Sequence, residues 1–107
     1  MLSEHEFRLK SDRALEETRR RLLPLVDAEG FDIELQDGVL DLIFEQPSET
    51  RFVVSPNAPL RQIWVSAMAR GYKLSWAPEA GGFALNGETL PELLERLTRE
   101  FLGLPGI

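Results

Sequence analysis

The sequence predicts an α+β fold in which N- and C-terminal helices pack on one face of a five- to six-stranded antiparallel sheet. Three observations predict it. Apolar residues recur at three-and-four spacing at both ends of the chain. They alternate with polar residues through the middle. Turn signals, and no helical stretches, separate those alternating segments, which excludes a parallel βαβ arrangement.

The spacing predicts a first helix over residues 6–28, with Phe7, Ala14, Leu15, Thr18, Leu22, Leu25 and Val26 on its inner stripe. Ser3 and Glu6 have the spacing of a capping box. Pro24 is expected to kink or end the regular part, because it lacks a backbone donor and crowds the preceding turn. Gly30 closes the segment. Phe31, Ile33 and Leu35 then alternate with acids, and Asp37-Gly38 is a two-residue hairpin signal. Leu40, Leu42 and Phe44 form the inner face of the next strand, followed by a turn at 46–49. Phe52 and Val54 mark a third strand. A turn over Pro56-Asn57-Ala58-Pro59 leads to a fourth, Gln62-Ile63-Trp64-Val65-Ser66. Gly71 marks the next break, before Tyr72, Leu74 and Trp76. A loop over 77–82 precedes a short last strand, Phe83-Ala84-Leu85, and the turn Asn86-Gly87. The closing helix has a capping box in Thr89 and Glu92, a tolerated Pro91, and a stripe of Leu90, Leu93, Leu94, Leu97 and Phe101.

The chain has 107 residues, enough for a single domain over 1–107 and too few for two. It is 43% hydrophobic and 28% charged, the balance of a soluble globular protein. No apolar run is long enough to span a bilayer. The first residues carry no targeting pattern, which predicts a cytoplasmic protein. There is no cysteine, so disulfides, thiolate metal sites and thiol nucleophiles are excluded. The lone histidine, His5, is expected to be a solvent residue. A net charge of −6 disfavours nucleic acid and suits a basic protein partner or hard cations. With no phosphate loop and no nucleophile–base pair, a stand-alone enzyme is not expected.

Two surfaces are left for function. Alternation puts Ile63 and Val65 on one face of their strand and Gln62, Trp64 and Ser66 on the other. If the first pair is core, a large indole faces outward with Asn57, Gln62 and Ser66 as its polar rim, an arrangement that asks for a partner. A one-residue slip would reverse this and expose Ile63 and Val65. The second surface is acidic: Asp27, Glu29, Asp32 and Glu34, continued by Asp37 and Asp41. Carboxylates suit ferrous, ferric, manganous or calcium ions, but this spacing fixes no coordination geometry and predicts weak, solvent-exposed binding. The same pattern also describes a merely solvated strand face.

Several segments resemble the frataxins, bacterial frataxins in particular. They are Asp32-Ile33-Glu34-Leu35-Gln36-Asp37-Gly38-Val39-Leu40, Pro59-Leu60-Arg61-Gln62-Ile63-Trp64, Gly71-Tyr72 and Gly87-Glu88-Thr89-Leu90-Pro91-Glu92-Leu93-Leu94. Gln62-Ile63-Trp64 is the most specific of them. The resemblance implies an α/β sandwich that binds ferrous or ferric iron weakly at surface carboxylates. It implies docking on a cysteine desulfurase and an iron–sulfur scaffold protein, and modulation of cluster assembly. The implied ridge is Asp27, Glu29, Asp32 and Glu34; the implied sheet face is Asn57, Gln62 and Trp64. The expected protein is a monomer that binds neither nucleic acid nor membrane. Arg19 and Arg20 stand where bacterial members often carry acids, and Arg8 where a histidine is frequent, which implies a thinner ridge. Ser55-Pro56-Asn57 replaces a family turn that usually carries a cation. Two other readings remain: an acidic chaperone or binding module without a metal role, and weak ferroxidase chemistry at the clustered carboxylates.

Overall fold

The first helix is set by its ends. In a computed structural model describing residues 2–106, α1 spans Glu4–Glu29. Glu6 N–H donates to Ser3 Oγ at 3.1 Å, and Ser3 N–H donates to Glu6 Oε1 at 3.0 Å, completing the capping box. Gly30 adopts φ 76° and donates its N–H to the Val26 carbonyl, the left-handed stop that a residue with a Cβ resists. Of the two outcomes expected at Pro24, a kink or an end, the helix does not take the second: α1 runs through it to Glu29. Pro24 is exposed, so the carbonyl it orphans one turn back faces the wet side. Leu22 and Leu25 on either side of it are buried. Their burial outweighs the local cost of about 3 kcal/mol.

Seven strands follow in sequential order, each antiparallel to the next. They are β1 (Asp32–Gln36), β2 (Val39–Phe44), β3 (Thr50–Asn57), β4 (Gln62–Ala67), β5 (Arg70–Ala77), β6 (Gly82–Leu85) and β7 (Glu88–Thr89). The last has two residues and escaped the alternation pattern for that reason. A 3-10 turn at Pro78–Ala80 occupies part of the expected loop. α2 spans Leu90–Leu102, with Thr89 and Glu92 as its capping box and Gly103 as its left-handed stop.

Three two-residue turns show how the hairpins close. Asp37-Gly38 and Asn86-Gly87 have positive φ at both positions, as their sequences predict. Met68-Ala69 does the same at φ 51° and 62°, and this turn, not Gly71, divides β4 from β5. Neither residue favours that region, so the hairpin is imposed by its strands. The β3–β4 turn also lies later than expected. Pro56 and Asn57 belong to β3, and Arg61, at φ 52°, completes the reversal. Pro56 is tolerated because β2 stops pairing at Leu40–Val54, so no ladder partner is lost on that side.

Both helices cover one face of the sheet. Leu40, Leu42, Phe52, Val54, Ile63 and Leu74 pack beneath Leu15, Leu22, Leu93, Leu94 and Leu97. Phe44 sits at one end of this layer, its ring centroid 4.7 Å from Phe31, 4.9 Å from Phe52 and 4.8 Å from Phe101. Phe83 anchors the other end against Phe7 and Trp76. No helix among the described residues is long and apolar enough to cross a membrane.

The helices are clasped to each other by Glu95, a buried carboxylate. Arg21 Nε on α1 donates to Glu95 Oε1 at 2.7 Å, and Arg99 Nε donates to Oε2 at 3.1 Å. The Arg21 hydrogen bond, aided by Arg99, holds this carboxyl below its ordinary range despite its burial. A lowered folded pKa means the clasp stabilises above the unfolded carboxylate pKa and is lost as pH falls through the folded value. Glu95→Gln is therefore expected to cost about 1–2 kcal/mol at pH 7. The difference from wild type should vanish at acid pH, where both side chains are neutral. Thermal melts of the two proteins across that range check it.

Candidate functional site: an open sheet face beside an acidic edge

The face away from the helices is assembled by register. Ile63 and Val65 are buried, so their neighbours Gln62, Trp64 and Ser66 point outward, as expected. One row across the strands reads Ser55, Trp64, Lys73, and the next reads Asp41, Val53, Ser66, Gly71. Trp64 lies half-buried among these side chains. Its Nε1–H donates to Gln62 Oε1 at 2.9 Å, which fixes the indole plane. Gln62 Nε2 reaches Ser75 Oγ at 3.5 Å. Lys73 Nζ stands 4.9 Å from the indole centroid, within cation–π range. Gly71 sets no side chain opposite Ser66, and the result is a shallow open depression lined by Val53, Ser55, Trp64, Ser66 and Lys73.

Asn57 contributes differently from expectation. It faces the same way, paired with Gln62, but its Oδ1 accepts the Leu60 N–H at 3.0 Å. That amide oxygen holds the β3–β4 turn. Lys73 is the member of the face that sequence reasoning missed. The alternation of Tyr72 and Leu74 with Lys73 and Ser75 already carried the signal.

The acidic residues fall into three groups. Asp32 and Glu34 are exposed on β1, and Asp41 on β2 lies directly opposite Glu34. All three share the open face. Arg51 Nη1 lies 3.7 Å from Asp41 Oδ2 and offsets part of this like-charge pairing. Asp27 and Glu29 sit in the last turn of α1, which contains no basic residue. Acids there oppose the helix dipole, at about 0.3–1 kcal/mol each. Asp37, in the β1–β2 turn at φ 52°, serves the turn geometry, which Asp tolerates.

Residues 22–50 hold eight acids and no Lys or Arg. Charge is therefore segregated onto this side of the molecule. The donors are hard oxygens that suit iron, yet among the described residues no three of His, Cys, Asp or Glu converge to hold one ion. The edge offers single carboxylates and a cross-strand pair, with no preformed cage. Along α1, Glu16 is taken by Arg19, in a two-pronged pair at 2.7 and 3.0 Å, and by Arg20 at 3.4 Å. The Arg19 hydrogen bond holds the Glu16 carboxyl below its ordinary range. That stretch of helix neutralises itself and adds little to the negative field.

The family model of the frataxin-like domain matches residues 1–104. An iron–sulfur cluster assembly protein CyaY from Pseudomonas fluorescens (strain SBW25) is 32% identical over 93 residues, covering 83% of each chain. One of the same name from Azotobacter vinelandii is 39% identical over 75 residues, covering 67% of this chain and 66% of the relative. Among solved structures, a frataxin from Psychromonas ingrahamii superposes with a TM-score of 0.66 at 16% identity, covering 92% of this chain and 90% of the other. That structural likeness speaks to the fold alone.

Proposed function

Because this chain belongs to the frataxin family, we propose that it is an accessory protein of iron–sulfur cluster assembly, docking on a cysteine desulfurase and its scaffold protein and carrying iron weakly. The observation that supports docking most is the open face itself. A rigid indole, pinned by Gln62, stands on a sheet whose other side is filled by the helices. The segregated acids beside it suit a basic partner surface and would steer its approach.

The roles divide by geometry. Trp64, with Gln62, Ser66 and Lys73 around it, supplies the contact that excludes water. Asp32, Glu34 and Asp41 supply long-range attraction. Ferrous or ferric iron binds as an exchangeable cation at the carboxylates of residues 27–41, held by one or two of them and by water. Binding of that kind relieves the Glu34–Asp41 repulsion and the acids at the end of α1, so stability rises with bound cation. The Arg19 and Arg20 pairs keep iron off the middle of α1. The protein works in the cytoplasm as a monomer.

The test is binding to a purified bacterial cysteine desulfurase–scaffold complex. Asp32→Lys/Glu34→Lys is expected to weaken it at least tenfold at low salt, about 1.4 kcal/mol. The loss should shrink as salt screens the edge. In parallel, ferrous iron added anaerobically to the free protein should shift NMR resonances only within residues 27–41. Equal binding by the charge-reversed variant removes the steering role, and scattered or absent shifts remove the iron role.

A further inference from the structure

β1 is the open edge of the sheet, and its composition specifies what can pair with it. The other edge, β7, has only two residues, too short to template a partner. β1 has five and, among the described residues, pairs with β2 alone. The register fixes which backbone groups are free. Gln36 and Val39 flank the two-residue turn and form the pair that such a turn hydrogen-bonds. Alternation then turns the peptide groups of Glu34 and Asp32 toward β2 and those of Ile33 and Leu35 outward.

The two sides of this strand differ sharply. Asp32, Glu34 and Gln36 are exposed on the open face, whereas Ile33 and Leu35 are half-buried on the helix side and pack against the core. A second copy of this chain is a poor occupant. Antiparallel pairing of two β1 strands would bring two Asp32 and two Glu34 carboxylates onto one face. No Lys or Arg between residues 22 and 50 would offset them.

We propose that β1 accepts an extended segment of a protein partner as an eighth strand, and that the segment alternates basic with apolar residues. Its Lys or Arg side chains lie beside Asp32 and Glu34 on the open face. Its apolar side chains continue the Ile33–Leu35 row under the flank of α1. The free N–H and C=O groups of Ile33 and Leu35 supply the main-chain hydrogen bonds, and the acids choose the partner. The proposal stands apart from the assembly role, since it concerns a mode of binding that any basic extended segment can use.

The test uses the full chain and the capped peptide Ac-KVRVKV-amide as probe. Amide exchange at Ile33 and Leu35 is expected to slow at least fivefold in the complex, with Asp32 and Glu34 amides little changed. Ile33→Pro removes one outward N–H while keeping every acid, at a position where an edge strand tolerates proline. It is expected to weaken the peptide at least tenfold, with its native NMR dispersion confirming the fold. An Ac-EVEVEV-amide control should not bind. If the basic peptide binds without slowing exchange at residues 33 and 35, or binds Ile33→Pro as tightly as wild type, attraction is by charge alone and strand addition is overturned. That result would leave the desulfurase-binding experiment unaffected.

Discussion

Phe44→Ala is expected to lower stability by about 3–5 kcal/mol. Phe44 is 1% exposed and touches three other rings, Phe31 from the α1–β1 connection, Phe52 from β3 and Phe101 from α2. Truncation removes both the buried ring and its tilted contacts with those three rings, and four elements meet at the resulting void. Because these neighbours are themselves anchored in helix and sheet, the void cannot close cheaply. Against a total of about 5–15 kcal/mol for a domain, such a loss leaves little margin. Phe44→Leu, which refills much of the space, should cost less than half as much. Urea denaturation of the three proteins measures it. A loss below 1 kcal/mol for the alanine variant would mean that the end of the core re-closes, contrary to the packing described. The effect reaches the functional surface, because Phe44 ties down the β1–β2 hairpin on which Asp32, Glu34 and Asp41 stand.

That hairpin was also the most legible part of the sequence. Ile33, Leu35, Leu40 and Leu42 alternate cleanly, and Asp37-Gly38 announces its turn, so the outward direction of Asp32, Glu34 and Asp41 follows from pattern alone. The direction of Trp64 was legible for the same reason, since Ile63 and Val65 are the better core pair. What was hidden lay where side chains carry no local signal. Met68-Ala69 adopts a turn that its residues disfavour, because the strands on either side have already fixed the register. Pro24 reads as a helix breaker, yet the burial of Leu22 and Leu25 decides the outcome. Asn57 reads as a polar rim residue, whereas its oxygen is used to close a turn whose position the prolines obscured. The Arg21–Glu95 bond joins residues 74 positions apart and has no signature in either helix by itself, unlike the i,i+4 pair Glu95–Arg99 within α2. At Met68-Ala69 and at Pro24 long-range packing outweighed a local preference.

Trp64→Arg is expected to leave the fold intact and to abolish binding to the desulfurase–scaffold complex. The two halves of this result have separate causes. Trp64 stands on the face away from the helices, so its removal opens no cavity in the core. Its substitution should change stability by less than about 1 kcal/mol, in the range of surface changes. Binding is different. A tryptophan at the centre of an interface commonly contributes about 2–4 kcal/mol, a factor of about 30 to 1,000 in affinity. Arginine at 64 also places a second cation beside Lys73, which would have to be desolvated with it in any closed contact. Trp64→Phe keeps an aromatic surface but loses the hydrogen bond to Gln62, so an intermediate affinity is expected. Thermal melts together with binding isotherms for the three proteins separate the effects. Wild-type affinity for Trp64→Arg, with affinity lost in Asp32→Lys/Glu34→Lys, would assign docking wholly to the acidic edge and leave the indole without a role.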